Sequence, residues 1–178
     1  MKKILVYGWF GEDNLGDELL LNETLELLSE NKDIEAYVMC SNPPRVKKNH
    51  NVRVAAVAID GTLKKYIKAI LLSPLAIMKC LYQTDNLIIA GGGAISDWNY
   101  SSTKEMFFLI NWFKHRNKKV YLLGVGAGPI TKERKDGRFY NVLSKADVIT
   151  VRDEFSKSEL NKIGLNNVYK SNDLMDTI

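Results

Sequence analysis

Short, nearly all-apolar runs alternate with longer amphipathic stretches along the whole chain. "KILVYG" has the pattern of a buried strand, and "NLGDELLLNETLELLSENK" follows it with leucines at helical spacing. Asn14 and Asp17 are candidate helix caps there, and acids in a first turn suit the positive end of the helix dipole. "IEAYVMC" predicts a second strand, "NPPRVKKNHN" a loop punctuated by Pro43 and Pro44, and "VRVAAVAI" a third strand. Thr62 to Gln83 is predicted to be mostly helical, with a kink or break at Pro74.

The second half repeats the theme. "DNLIIAGGG" predicts a strand ending in three glycines, and "TKEMFFLINWFKHRNK" a helix ending in a basic turn. "KVYLLGVGAGPI" is a strand that again ends in glycines, before a polar helix near Glu133 to Lys145. "ADVITVRD" is a strand followed by the short helix "EFSKSELNKIG", and "NNVYKSND" a last short strand. Strands that alternate with helices require crossover connections, so the chain is expected to be α/β, with a parallel sheet and helices on both faces. Nearly all-apolar strands fit a sheet covered on both sides. Ligands of such sheets bind beyond the carboxyl ends of the strands. The turns "GWFGEDNLGD", "GGGAISD", "GVGAGP" and "VRDEFS" all fall at that edge and should converge in space.

Composition narrows the picture modestly. The 178 residues are 46% hydrophobic, enough for one core, so a single domain over residues 1–178 is expected. A net charge of +4 from 25 basic and 21 acidic side chains gives no sign of a nucleic-acid partner, while tolerating an anionic ligand. Cys40 and Cys80 have no metal-ligand spacing, no cluster suggests a metal, and the apolar run at the amino terminus is too short for a signal segment. A cytoplasmic protein with free thiols is the expectation. The apolar stretch Tyr66 to Tyr82 is interrupted by Lys68, Ser73, Pro74 and Lys79, which argues against a spanning helix.

The candidate chemistry lies in the turns. Gly8, Gly11 and Gly16 are spaced too widely for a dinucleotide fingerprint, and no Gly-Lys-Ser/Thr closes a P-loop. The turn serves equally as a tight strand-to-helix connection and as a place for close ligand approach. Gly91, Gly92 and Gly93 let backbone approach a ligand, with Asp97 facing the same cleft, and Gly126 and Gly128 present the same two readings. Arg152 carries a planar fork suited to carboxylate or phosphate, although a surface pair with Asp153 or Glu154 is its plain reading. His50 and His115 have no nucleophile partner or ligand spacing and read as surface residues. Trp9 and Trp98 follow glycines in two of the turns; packing over the sheet edge competes with stacking on a sugar.

Taken in order, "GWFGEDNLGDELLL", "IIAGGGAISD", "GVGAGPI", "ADVITVRDEFS" and a closing "SNDLMD" resemble the polysaccharide pyruvyl transferase family across nearly the whole chain. The resemblance implies one half of a two-domain, glycosyltransferase-like (GT-B) fold, in which Rossmann-type domains face each other over a cleft. It implies transfer of a pyruvyl group from phosphoenolpyruvate to a saccharide diol, forming a ketal, with no cofactor. Gly8, Gly11, Asn14, Gly16 and Asp17 would then form the first-turn signature. Gly91, Gly92, Gly93, Gly126 and Gly128 would be its neighbours. Asp17 and Asp97 would serve on the acceptor side, and Arg152 would contact the anionic donor.

Enzymes of the family are roughly twice this length, in keeping with two domains of ordinary size. The expectation is therefore an amino-terminal half without robust turnover alone, completed by a carboxy-terminal domain or partner chain. The acceptor would be a saccharide or a lipid-linked saccharide. Two other readings compete: half of a sugar-nucleotide-dependent glycosyltransferase, and a non-catalytic module docking on a polysaccharide assembly. The lysine-flanked segment Lys64 to Tyr82 would be the membrane contact of the latter, although a helix with a solvated face explains the same pattern.

Overall fold

A computed structural model describes residues 1–12, 14–40, 42–50, 52–57, 74–93, 95–97, 100–131 and 137–170. Seven strands, β1 (Lys2–Tyr7), β2 (Ile34–Cys40), β3 (Arg53–Val57), β4 (Asn86–Ala90), β5 (Lys119–Val125), β6 (Val148–Val151) and β7 (Val168–Lys170), form one sheet in the order β3-β2-β1-β4-β5-β6-β7. Every pairing is parallel. The helices are α1 (Leu15–Ser29), α2 (Pro43–Asn49), α3 (Pro74–Gln83), α4 (Tyr100–His115), α5 (Arg138–Leu143) and α6 (Glu154–Lys162). This is the Rossmann-like α/β fold that the alternation of runs predicts.

Register explains why the strands are apolar throughout. Leu5 aligns with Tyr37 on one side and Leu87 on the other, and Leu87 with Val120. All four belong to the core cluster beneath α3, α4, α5 and α6. The next residues along, Val6, Val38 and Ile88, point to the other face, where they join Leu21 and Leu28 of α1 and Val46 of α2. With both faces covered, alternate residues cannot be polar. Each fully buried aliphatic side chain contributes roughly 1.5–3 kcal/mol.

One element departs from expectation. Residues 43–49, read as a loop on the strength of two prolines, form α2. Pro43 and Pro44 occupy the first turn, where no intrahelical amide bond is lost and a fixed φ favours the helix, and the Asn42 side chain caps it by accepting from Arg45 N. Lys47 and Lys48 lie in the last turn, favourable for the dipole. Pro74, expected to break a helix, begins α3 for the same reason. The earlier part of the Thr62–Gln83 helix, including Lys64, lies outside the described residues. So do residues 133–136 of the polar helix, Trp98 and the "SNDLMD" segment. No helix among the described residues is long and apolar enough to cross a membrane.

Candidate functional site

β1 lies between β2 and β4, so the chain leaves it toward one side through α1 and returns on the other through β4. The switch in the direction of the connections therefore falls beyond the carboxyl ends of β1 and β4, the place where the ligand crevice of open α/β sheets lies. The turns that follow these two strands, and those after β5 and β6, form its lip.

The turn after β1 holds Gly8, Gly11, Asn14, Gly16 and Asp17. The Asn14 side chain accepts from Gly16 N at 3.0 Å and caps α1, which settles which of the two candidate caps is used. Gly11 N donates to Glu18 Oε1 at 2.9 Å, and Glu18 Oε2 lies 3.3 Å from His50 Nε2 at the end of α2. Glu18 therefore clasps its own turn to the neighbouring helix. His50, expected at the surface, has a side chain only 10% exposed. Beneath the turn, the Tyr7 hydroxyl meets Glu105 Oε2 of α4 at 3.2 Å, and burial, reinforced by that carboxylate, pushes the phenol well above its ordinary range.

Asp17 is half-buried at the start of α1. Burial raises its carboxyl above the ordinary value; the bond with Asn14 opposes the rise and the charge of Glu18 adds to it. The folded protein thus holds the proton more tightly than the unfolded chain. Stability falls as pH rises from the ordinary carboxylate value through the raised one, because the unfolded state releases its proton first. Replacing Asp17 with Asn removes this penalty. Asp17→Asn is expected to raise the thermal midpoint at neutral pH and leave it almost unchanged at low pH, as two calorimetric melts of each protein would show.

The turn after β4 approaches Asp17 closely. A Cβ placed on Gly92 would lie 3.9 Å from Asp17 Oδ1. Gly126, after β5, donates its amide to Gly92 O at 2.7 Å. A Cβ on Gly126 would lie 3.0 Å from that oxygen and 3.1 Å from Arg152 Cζ, so the guanidinium packs directly on the Gly126 backbone. Asp17, Gly92, Gly126 and Arg152, drawn from four turns, form one continuous row along the carboxyl edge of β1, β4, β5 and β6. Gly93 is exposed beside the row, with nothing within 4 Å of an added Cβ.

Arg152 is anchored at its base. Its Nε donates to Asp153 Oδ2 at 3.1 Å, the surface pair anticipated above, while Asp153 Oδ1 accepts from Ser156 N at 2.7 Å and caps α6. Its side chain remains 42% exposed. The two terminal nitrogens carry the remaining donors of the guanidinium.

Asp97 sits differently. It is 8% exposed, and its Oδ2 accepts from both the amide and the hydroxyl of Thr131, the latter at 2.5 Å. Its backbone N donates to Pro129 O at 3.1 Å. The Asp97 carboxylate therefore braces the turn after β5. Gly128 belongs to the same brace: its amide donates to Ile95 O at 2.7 Å, and Ser156 Oγ and Glu159 Oε2 of α6 accept from Ala127 N and Ile130 N. Asp97→Ala would leave the amide and hydroxyl of Thr131 without their acceptor and is expected to cost roughly 1–3 kcal/mol of stability, measurable by urea unfolding.

Glu18, Ser156 and Glu159 were not singled out from the sequence as parts of the site. Their partners are distant in the chain, and only the placement of Glu18 beside a glycine turn hinted at a role.

The fold is a Rossmann-like parallel α/β sheet, consistent with one half of a GT-B-like fold. The sequence model of the polysaccharide pyruvyl transferase family matches residues 14–175, and the chain belongs to that family. Solved structures similar to it include the following three. The S. aureus MnaA–UDP structure has 13% identity and a TM-score of 0.59, covering 98% of this chain and 44% of that one. UDP-GlcNAc 2-epimerase from Neisseria meningitidis bound to UDP-GlcNAc has 12% identity and a TM-score of 0.57, covering 99% and 48%. An alpha-glucosyltransferase in complex with UDP-glucose and DNA containing an abasic site has 14% identity and a TM-score of 0.52, covering 94% and 41%. At these identities the likeness concerns the fold. The chain spans less than half the length of each. No curated protein sequence matches it.

Proposed function

We propose that this chain supplies the amino-terminal half of a polysaccharide pyruvyl transferase, with phosphoenolpyruvate as donor and a saccharide diol, free or carried on a lipid, as acceptor. The reaction joins two acceptor oxygens to C2 of the enolpyruvyl group. C3 takes one proton and becomes a methyl group, and phosphate leaves with the other. Such a step needs cations for the donor carboxylate or phosphate, a group to accept the acceptor proton and a donor for C3.

The observation that carries the reading is the row Asp17–Gly92–Gly126–Arg152. It puts a carboxylate and a guanidinium on one lip, with two glycine turns between them where backbone can approach a ligand. Arg152 is assigned to the donor anion. Asp17, its carboxyl made more basic by burial, is assigned to an acceptor hydroxyl, as orienting group or base. Asp97 is assigned a positioning role, since its carboxylate already holds Thr131. The remaining donor contacts and turnover itself are assigned to a second domain or partner chain in a cytoplasmic enzyme of cell-envelope polysaccharide synthesis.

A sugar-nucleotide donor is the second reading, favoured by the UDP, UDP-GlcNAc and UDP-glucose named for the structural neighbours. Calorimetric titration of the 178-residue chain with phosphoenolpyruvate and, separately, with UDP-glucose and UDP-GlcNAc separates the two. Heat with phosphoenolpyruvate alone supports the pyruvyl donor. Heat with the nucleotide sugars alone replaces it by the second reading.

A further inference from the structure

On a different face from the crevice, α3 and α4 carry an apolar patch that neither the fold nor the proposed chemistry uses. Leu75, Met78 and Tyr82 recur at helical spacing along α3 and are exposed, Leu75 by 84% and Tyr82 by 57%. The Tyr82 ring meets Trp112 of α4 edge-on at 5.4 Å, and Phe108, 55% exposed, lies 5.9 Å from Trp112. Arg116 lies over both Trp112 and Tyr82, at 3.6 and 5.0 Å from the ring centroids, and its terminal nitrogens bond Trp112 O and the Tyr82 hydroxyl. Other large apolar side chains exposed among the described residues, such as Leu27 on α1 and Phe155 on α6, lie on other elements. Isolated ones need no explanation, whereas a joined patch marks an interaction surface.

The charge around the patch selects the partner. α3 contains no acid, and the one acid of α4, Glu105, is turned inward to Tyr7. Lys79 is exposed beside Met78, Lys118 reaches Tyr82 O at 3.3 Å, and Lys145 borders the groove at the end of α4, bonded to Asn111. Among the described residues, Asp147 and Asp85 lie nearby. Asp147 is held by Lys114 and Lys119, and Asp85 binds Lys3 N while its charge acts on Lys118. Cations remain in excess. Protruding Leu, Met and Phe beside the Tyr82 hydroxyl, rimmed by lysine and arginine, are side chains that settle at the boundary of an anionic bilayer.

We infer that the α3–α4 face binds the surface of an anionic lipid membrane. Tyr82 and Arg116 lie toward the carboxyl ends of their helices, at the amino end of the strands. The aromatic part of the patch thus lies at the end of the sheet opposite the Asp17–Arg152 row, while Leu75, at the start of α3, lies toward the other end. The inference is independent of donor identity, so it stands or falls apart from the titrations above.

The test is sedimentation of the whole chain with vesicles of neutral phosphatidylcholine, or of phosphatidylcholine mixed with anionic phosphatidylglycerol. Each cation at a lipid surface is worth about fivefold in binding. Lys79→Glu should therefore weaken binding to anionic vesicles by about fivefold or more, and Leu75→Ser with Phe108→Ser by about tenfold. These side chains are exposed, so the melting temperature should hold and serves as the folding control. Wild-type binding should also fall steeply between about 0.1 M and about 1 M salt as screening tightens. Failure to sediment with anionic vesicles, equal binding to neutral ones, or variants that bind as wild type would overturn the inference. So would a concentration-dependent dimer lost in the Leu75/Phe108 variant, which would give the face to a second copy of the chain.

Discussion

Arg152→Ala is expected to weaken binding of phosphoenolpyruvate to this chain by about tenfold to a hundredfold, the equivalent of charge-assisted hydrogen bonds worth roughly 1.5–3 kcal/mol. The guanidinium is held by Asp153 at Nε and by the Gly126 backbone along its face, so little is lost in ordering it when an anion arrives. An anion reaching the terminal nitrogens meets a partly exposed cation at the end of β6, without first displacing a buried partner. Arg152→Lys keeps the charge but loses the fork, and should recover only part of the affinity. Because Arg152 is exposed and its ion pair is of the surface kind, the melting temperature should change little. Calorimetric titration of the two variants against wild type checks both statements. Unaltered phosphoenolpyruvate binding in Arg152→Ala would remove Arg152 from the site.

A large effect on stability is expected at Gly91. Its φ is +52°, and an added Cβ would lie 2.5 Å from Leu20 Cδ1, a buried side chain of α1. The amide of Gly91 donates to Leu123 O at 2.8 Å, so the turn cannot simply rotate away. A left-handed conformation costs an alanine roughly 1–2 kcal/mol, and overpacking against Leu20 roughly 1–3 kcal/mol more. Gly91→Ala should lose about 2–5 kcal/mol in total, or on the order of 5–20 °C of melting temperature for a chain of this size. Gly93→Ala is the matched control, since its Cβ would meet nothing, and its melt should move by no more than about 0.5 kcal/mol. Thermal unfolding followed by circular dichroism compares the pair. Equal losses in both would mean that contact with Leu20 does not set the requirement at Gly91.

These two glycines show how far the sequence could be read. Seven strands and their parallel order class were legible because a sheet covered on both faces needs apolar residues on both sides, and runs such as "NLIIA" can serve little else. The edge that carries the site was legible for a related reason: glycines directly after strands mark turns at the carboxyl end. Which glycine touches a helix and which borders open space was not legible, because Leu20 and Gly91 meet only through tertiary packing. The acids were harder still. Asp17, Glu18 and Asp97 look alike as letters, yet one is raised by burial beside the Gly92 turn, one clasps Gly11 and His50, and one braces Thr131. His50 and Thr131 lie 32 and 34 residues from Glu18 and Asp97, beyond the reach of any local pattern. α2 was missed because two prolines were weighed as breakers, when in a first turn they favour the helix.

The row itself explains the turn in which acids and glycines mingle. Glu18 is consumed in holding it, Asn14 caps the helix, and Asp17 is left beside the Gly92 turn. An acid used as a clasp does not repel a ligand as an unpaired one would, because its charge is shared with His50 and a backbone amide.

Amide nuclear magnetic resonance of the isotopically labelled chain during titration with phosphoenolpyruvate tests the proposed site most directly. Shifts concentrated at the amides of Asp17, Gly92, Gly126 and Arg152, saturating together, are the predicted result. Saturating shifts confined to the groove at the end of α4, or to residues around His50 such as Asn22, Glu26 and Ile34, with the row unmoved, would contradict it.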